Sequence, residues 1–103
     1  MRLLGPRHLS GVAHERKGHR GAFFIGGEGG RRLAEMTYSA SPTLVILDHT
    51  EVDESLRGTG ASRELVRAAV EWARAEKVKL LPLCPFARHV FDKTPEYADV
   101  LAG

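Results

Sequence analysis

Cysteine is almost absent from this chain, and long apolar segments are absent altogether. The one cysteine, Cys84, cannot form an internal disulfide, and no Cys/His pair has the spacing of a zinc site. We therefore expect a reducing compartment, a cytoplasmic location and no bound metal. No run of about 18 apolar residues occurs, so the sequence predicts no membrane span and no membrane partner.

The chain also lacks a large excess of positive or negative charge. Lys and Arg total 15 and Asp and Glu total 13, which gives a formal net charge of +2. Residues 1–20 hold five of the basic residues and one acid, so the rest of the chain carries a net charge of −2. A nucleic-acid partner requires a basic face with interleaved aromatic residues, and this distribution argues against one. The oligomeric state is left open.

The chain has enough residues for one hydrophobic core. A length of 103 residues is too short for two cores, and 43% hydrophobic with 27% charged residues is typical of a globular protein. The predicted organisation is a flexible N-terminal tail over residues 1–11 and a single domain over residues 12–103.

The first half of that domain has the pattern of a meander of short strands. Apolar or alternating segments cover residues 12–16, 22–25 and 31–39, and glycine-bearing turns at 17–21 and 26–30 separate them. Residues 43–52 then predict a central strand, because their first half is apolar on both faces. A period of two places His49 and Glu51 on one face and Asp48 and Thr50 on the other, unless a bulge shifts the register.

The second half predicts a long helix, a strand and a short helix. Apolar residues at helical spacing run from Gly60 to Lys77, residues 78–83 read as a strand, and Pro85 opens a helix ending at Lys93. The predicted class is α+β (α/β-like), with a mostly antiparallel mixed sheet.

The junction between the central strand and the long helix is the most informative segment. Residues 52–63 form a glycine-bearing loop that opens a helix, an arrangement whose backbone N–H groups can hold a phosphate. Glycine allows a ligand to approach the backbone closely, although Gly58 and Gly60 are also explained by a simple turn. Arg63 and Arg67, one turn apart, are candidates for outlying phosphates, with a solvated helix face as the alternative.

This loop and the order of elements resemble the GNAT acetyltransferase superfamily, whose signature is Arg/Gln-x-x-Gly-x-Gly/Ala. Residues 57–62, Arg-Gly-Thr-Gly-Ala-Ser, match its first two fixed positions and place Ser62 at the third. Residues 48–52, 83–86 and 95–97 are similar to the short, single-domain YjdJ-type branch. The resemblance implies a minimal GNAT fold that binds acetyl-CoA in a V-shaped cleft, with the pyrophosphate on the loop amides. The implied cofactor-binding residues are Val52, Arg57, Gly58, Thr59, Gly60, Ala61, Ser62 and Arg63.

Catalytic candidates lie near this cleft. His49 and Glu51 are candidates for the base, with a packed imidazole and a surface carboxylate as the alternatives, and a backbone N–H within residues 49–52 is the candidate oxyanion donor. Cys84, at the cleft mouth, is a candidate nucleophile, proton donor or thiol that forms a mixed disulfide with CoA, and a buried packing residue is the alternative. His89, in the following helix, is a candidate partner for this thiol.

Two features expected from the superfamily are missing. The tyrosine that many members use as an acid is replaced by Phe91, so Tyr97 is the candidate substitute, with aromatic packing as the alternative. Longer members carry one or two helices between the first two strands, where this chain has only residues 17–21. The wall that encloses the acceptor is therefore expected to be absent.

The predicted function is that of an acetyl-CoA-dependent N-acetyltransferase in which an amine acceptor attacks directly. A non-catalytic acyl-CoA-binding or sensing module is the alternative, because the tyrosine and the acceptor wall are missing. Glu51, Asp53 and Glu54 gather near the loop and favour a cationic amine. The open acceptor side favours an extended or protein-borne amine.

Overall fold

A five-stranded sheet and two helices make up the described part of the chain, residues 11–26 and 28–102 of a computed structural model. Of the predicted N-terminal tail, only Gly11 lies within the described residues. The strands are β1 (Val12–Lys17), β2 (Arg20–Gly26), β3 (Arg32–Ala40), β4 (Leu44–Val52) and β5 (Lys79–Pro82), and the helices are α1 (Ala61–Glu76) and α2 (Pro85–Lys93).

The strands lie side by side in chain order, β1-β2-β3-β4-β5. The first four are antiparallel. The strand β5 is parallel to β4, because α1 returns the chain to the edge of the sheet at which β4 begins. The predicted meander and the α+β class are confirmed. The strand β2 begins at Arg20, earlier than predicted, because Arg20 pairs with both Lys17 and Ser39.

Both helices pack on one face of the sheet, which we call the inner face. The apolar stripe of α1, including Leu65 and Val70, is completely buried against inner-face side chains such as Met36 and Leu47. A residue in the left-handed conformation stands at each end of α1, Gly60 before it and Lys77 after it. The opposite, outer face of the sheet bears polar and charged side chains such as Glu35 and Ser39, with Phe24 and Ile46 beside them.

A β-bulge at Asp48 changes the face that the second half of β4 presents. Thr37 of β3 pairs with His49 and the next residue of β3 pairs with Leu47, so Asp48 has no partner of its own. Asp48 accepts a hydrogen bond from the Thr37 hydroxyl on the outer face, whereas Thr50 is buried on the inner face. The register shift that a bulge was expected to cause is therefore present: Asp48 is the extra residue, and Asp48 and Thr50 lie on opposite faces instead of sharing one. His49 and Glu51 share the outer face, as predicted.

A cluster of aromatic rings fills the inner face between β1 and α1. The ring of Tyr38 is fully buried, and a Cβ at Gly21 would lie 2.3 Å from it, so only glycine leaves room for this ring. His14 stacks on Phe23 with the ring centroids 4.2 Å apart, and its Nε2 atom lies 2.5 Å from the Tyr38 hydroxyl oxygen. Trp72 of α1 completes the cluster, 5.2 Å from Tyr38 between centroids.

The stability of this cluster is expected to depend on the protonation of His14. Burial, aided by the positive charge of Arg16, lowers the pKa of His14 below that of a free histidine side chain. The neutral imidazole can accept a hydrogen bond from the Tyr38 hydroxyl, and the imidazolium cannot. Because the unfolded state has the higher pKa, it binds more protons as the pH falls through about 6.5, and stability is lost in that direction.

The melting temperature is therefore expected to fall on acidification from about pH 7.5 to pH 5.5, and His14→Gln is expected to flatten this dependence. Circular dichroism melts over that pH range measure the effect. His19→Gln, at the exposed β1–β2 turn, is the matched control and should retain the wild-type slope. An unchanged slope in His14→Gln would contradict the prediction.

Candidate active site

The strands β4 and β5 separate halfway along β4. Their pairing runs from Leu44 opposite Lys79 to Leu47 opposite Pro82. The N–H groups of Leu83 and Cys84 then both donate to the Leu47 carbonyl, at 3.0 and 3.2 Å. Beyond this point β4 stays paired with β3, while the segment that follows β5 turns away into α2. The separation lies where the V-shaped cleft was expected.

The free edge of β4 offers backbone donors to this opening. The N–H of Asp53 donates to the Leu33 carbonyl of β3 at 2.6 Å, and the pairing with β3 is regular from His49 to Val52. Successive residues of a strand direct their N–H groups to opposite sides. The N–H groups of Thr50 and Val52 therefore point away from β3, toward the space that β5 leaves open. Within the predicted region 49–52, Thr50 and Val52 are therefore the two candidates for the backbone oxyanion donor.

Asp53 fixes the start of the loop that leads to α1. Its carboxylate accepts hydrogen bonds from the N–H and the hydroxyl of Ser55, at 3.0 and 2.6 Å, and lies 2.6 Å from Arg31. The Ser55 hydrogen bonds, followed by the charge of Arg31, hold the pKa of Asp53 below its usual value. The contacts of the Asp53 carboxylate with Ser55 and Arg31 therefore stabilise the loop itself.

The first turn of α1 has unsatisfied backbone donors. Gly60 precedes the helix with φ +86° and provides no side-chain cap. The first intrahelical bond runs from the Glu64 N–H to the Gly60 carbonyl, 3.0 Å, so the N–H groups of Ala61, Ser62 and Arg63 have no acceptor within the helix. Such a helix start binds anions, because its N–H groups and its dipole both favour negative charge.

A cavity of about 630 Å³ connects the helix start with the free edge of β4. Thr59 does not line it, because both its hydroxyl and its N–H donate to the Leu56 carbonyl, at 2.5 and 3.2 Å. Arg63 does not line it either. The predicted cofactor-binding residues that do line it are Val52, Arg57, Gly58, Gly60, Ala61 and Ser62.

The two arginines of the helix start differ in their partners. Arg67 lies 3.8 Å from Glu64 and 3.4 Å from Glu71, so carboxylates hold its guanidinium. Arg63 forms no ion pair with any residue in the described part of the chain, and its guanidinium folds back toward Gly60. A Cβ at Gly60 would lie 2.8 Å from Arg63 Nη2. Arg63 is therefore the better placed of the two for a phosphate.

The base candidates Glu51 and His49 lie together at the other end of the cavity. Their side chains are exposed, and His49 Nε2 is 3.3 Å from Glu51 Oε2. Glu51 lines the cavity and His49 does not. Glu35 of β3 stands directly opposite Glu51 and lines the same cavity.

Sequence reasoning missed several residues of this cavity, among them Arg32, Glu35 and Phe86. Arg32 and Glu35 reach it through the register of β3 against β4, for which the sequence carries no local signal. Phe86 lines it from the first turn of α2, and 52% of its surface is exposed. Its place after Pro85 at a helix start was a usable signal for an apolar wall.

Cys84 lies behind the cavity wall rather than at the cleft mouth, which corrects the expected position. Only 4% of its surface is exposed, and its Sγ atom is 3.0 Å from the hydroxyl oxygen of Thr50, which lines the cavity. His89 is exposed on α2 and does not line the cavity. Phe91 is buried, and Tyr97 packs on it with the centroids 5.9 Å apart.

The described residues contain neither a metal-binding group nor a membrane-spanning helix. Within residues 11–26 and 28–102, no three His, Cys, Asp or Glu side chains are grouped in a way that could hold a metal ion. No helix in the same part of the chain has the length and apolar character needed to cross a membrane.

The fold and the cavity together define a small α+β domain of the N-acetyltransferase class. The model of the GCN5-related N-acetyl-transferase family matches residues 22–100. The chain belongs to this enzyme family, which confirms the predicted superfamily.

Solved structures share the architecture. A GCN5-like protein from Staphylococcus aureus is 33% identical, with 92% of each chain covered and a TM-score of 0.68. A ribosomal-protein-alanine N-acetyltransferase from Brucella melitensis is 20% identical over 82% of this chain and 64% of its own, with a TM-score of 0.58. An aminoglycoside N-acetyltransferase in complex with CoA is 16% identical over 79% and 68%, with a TM-score of 0.55. The two likenesses at lower identity show the fold. A search of curated proteins finds no match.

Proposed function

We propose that this protein transfers an acetyl group from acetyl-CoA to an amine acceptor by direct attack of the amine. The observation that carries the proposal is the single cavity that joins the α1 start to the free edge of β4. Family membership supports acetyl transfer to nitrogen, and the CoA complex of the aminoglycoside enzyme supports the donor. Residues 12–103 are proposed to form this catalytic unit, in the cytoplasm.

Acetyl-CoA is the donor, and its pyrophosphate accepts hydrogen bonds from the N–H groups of residues 61–63. Arg57, at the cavity wall, and Arg63, beside Gly60, supply positive charge for the phosphates. Phe86 and Leu56 give the cavity an apolar wall between the loop and β4, suited to the uncharged arm of the cofactor.

The acceptor enters at the Glu51 end of the cavity. Glu51, with His49 3.3 Å away, takes a proton from the ammonium group, and the freed nitrogen lone pair attacks the thioester carbonyl carbon. The N–H of Thr50 or Val52 donates to the oxyanion that forms. The carbon–sulfur bond then breaks, the amide forms, and the CoA thiolate takes a proton from the attacking nitrogen or from water.

An acceptor screen tests this function. Protein and acetyl-CoA are incubated with polyamines, lysine-bearing peptides and acidic amines, and CoA release is followed by thiol detection. We expect acceptor-dependent release that is fastest with cationic amines, because Glu35 and Glu51 line the acceptor end. A rise in melting temperature with CoA but no turnover with any amine would instead support the non-catalytic binding module.

Cys84 is expected to contribute more to packing than to chemistry. Because the thiol is buried behind Thr50, Cys84→Ala should lower the free energy of unfolding by about 1 kcal/mol and change kcat by less than about threefold. Cys84→Ser, which keeps a hydrogen-bonding partner for Thr50, is the matched control.

Two results would contradict this prediction for Cys84. A stoichiometric acetyl adduct on the thiol, seen by intact mass after incubation with acetyl-CoA and lost on adding acceptor, would establish a covalent route. Unchanged acetyl-CoA affinity with a large loss of rate in both variants would establish a proton donor.

A further inference from the structure

The outer face of the sheet is a continuous surface that neither α1 nor α2 covers. The strand registers arrange its side chains in rows across the strands. Glu35 and Glu51 belong to the row beside the cavity, whereas Lys17 and Arg20 belong to a row four residues further along the strands. The latter row lies at the β1–β2 turn.

Charge differs between the two ends of this face. At the cavity end, Arg32 is shared by Glu15, at 2.7 Å, and Glu35, at 2.5 Å, so the two carboxylates exceed the one guanidinium. Glu51 adds a further carboxylate there, with His49 as its neighbour. The cavity end therefore has a net negative charge.

The turn end is positive. Arg20 is bound to Asp48 at 3.2 Å, so these two charges offset each other. Lys17 is exposed and forms no ion pair with any residue within 11–26 and 28–102. Arg16 next to it donates only to the Gly18 carbonyl, at 2.8 Å. The register places Arg16 beside Gly21 on the inner face, so an anionic group at this end of the outer face would find one unpaired cation, Lys17.

A second depression connects the two ends. It measures about 400 Å³, and its lining includes Lys17 and Arg20 at one end and Thr37 and Glu35 at the other. Ala22, a small residue with 3% exposure, lies within it and leaves it open. Glu35 also lines the larger cavity, so the two depressions adjoin at this side chain, and we call them together the groove.

We propose that this groove binds the acceptor as an extended chain, with the reacting amine at Glu51 and an anionic group at Lys17. The inference rests on the proposed function, since the groove ends in the cavity assigned to acetyl transfer. Four residues along the strands and three strand spacings across them separate Glu51 from Lys17 by about 20 Å. The substrate class is therefore a peptide or protein amine with an acidic residue about six residues away.

Paired peptides test this proposal. Each is blocked at both termini and carries one lysine, and the two peptides have either Asp or Asn about six residues from it on each side. We expect the wild-type KM to be about fivefold lower for the Asp peptide with kcat unchanged. Lys17→Glu is expected to abolish that preference. Lys93→Glu, the same charge change at the end of α2, is expected to retain it.

Equal KM values for the two peptides in the wild-type protein would overturn the groove while leaving the proposed function intact. Loss of the preference in Lys93→Glu as well would also overturn it, because net charge alone would then explain the effect. Absence of turnover with both peptides would count against the proposed function. Fluorescence anisotropy of the labelled peptides with CoA-saturated protein then decides the groove: tighter Asp-peptide binding that depends on Lys17 supports it, and equal binding overturns it.

Discussion

Gly60→Val is expected to weaken CoA binding by at least about 100-fold. The side chain would stand at the start of α1, where its Cβ would lie 2.8 Å from Arg63 Nη2. It would displace that guanidinium and keep a phosphate away from the N–H groups of residues 61–63. Loss of two or more charge-assisted hydrogen bonds, at about 1.5 kcal/mol each, accounts for a change of this size. Isothermal titration calorimetry with CoA measures it.

Backbone strain has to be separated from this effect. Gly60 has φ +86°, so valine there is expected to cost about 1–3 kcal/mol of stability, and the substitution is not neutral for the fold. Gly18→Val is the matched control, because Gly18 has φ +62° in the β1–β2 turn and open space around its Cβ position. It should lose similar stability and keep wild-type CoA affinity. Normal CoA binding by Gly60→Val would place the pyrophosphate site elsewhere.

The elements and the loop were predictable because their signals are local. The apolar stripe of α1 recurs at helical spacing, and Gly58 and Gly60 mark the loop within a few residues. The sequence also predicted that a helix start would follow the central strand. The structure adds that Gly60 adopts a left-handed conformation, which explains why glycine stands at that position.

The acceptor end was only partly predictable, because it depends on contacts between strands. Glu51 was identified from its own strand, but Glu35 stands opposite it only through the β3–β4 register. The bulge at Asp48 sets that register, and no local pattern specifies which residue bulges. The contact between Thr50 and Cys84 follows from the same bulge, because the bulge turns Thr50 inward toward the thiol.

The two ends of the cavity have opposite charge, and this would place the proposed donor and the amine acceptor at opposite ends. The α1 start presents N–H groups, the helix dipole and Arg57 to a polyanionic donor. The β3–β4 end presents Glu35 and Glu51 to a cationic amine. In the proposed reaction each reactant would be attracted to one end and repelled from the other, so the thioester and the amine would meet beside the free edge of β4, between the two ends.

Glu51→Gln is expected to lower kcat about 100-fold near neutral pH, within the range that general base catalysis contributes. The amide keeps the size of the side chain and cannot take the ammonium proton. The KM for acetyl-CoA should stay unchanged, because the proposed donor site is at the opposite end of the cavity. Steady-state kinetics with the best amine of the acceptor screen measure both constants. Glu54→Gln, at an exposed carboxylate that does not line the cavity, is the matched control and should retain wild-type kcat.

The pH dependence distinguishes a base from a mere binding charge. Without the base, the variant must use amine that is already deprotonated in solution, and that fraction rises about tenfold for each pH unit below the amine pKa. The deficit of Glu51→Gln in kcat/KM for the acceptor is therefore expected to shrink steadily as the pH is raised. A deficit that stays constant with pH and lies in the acceptor KM alone would show that Glu51 binds the amine, and would assign proton removal to another group.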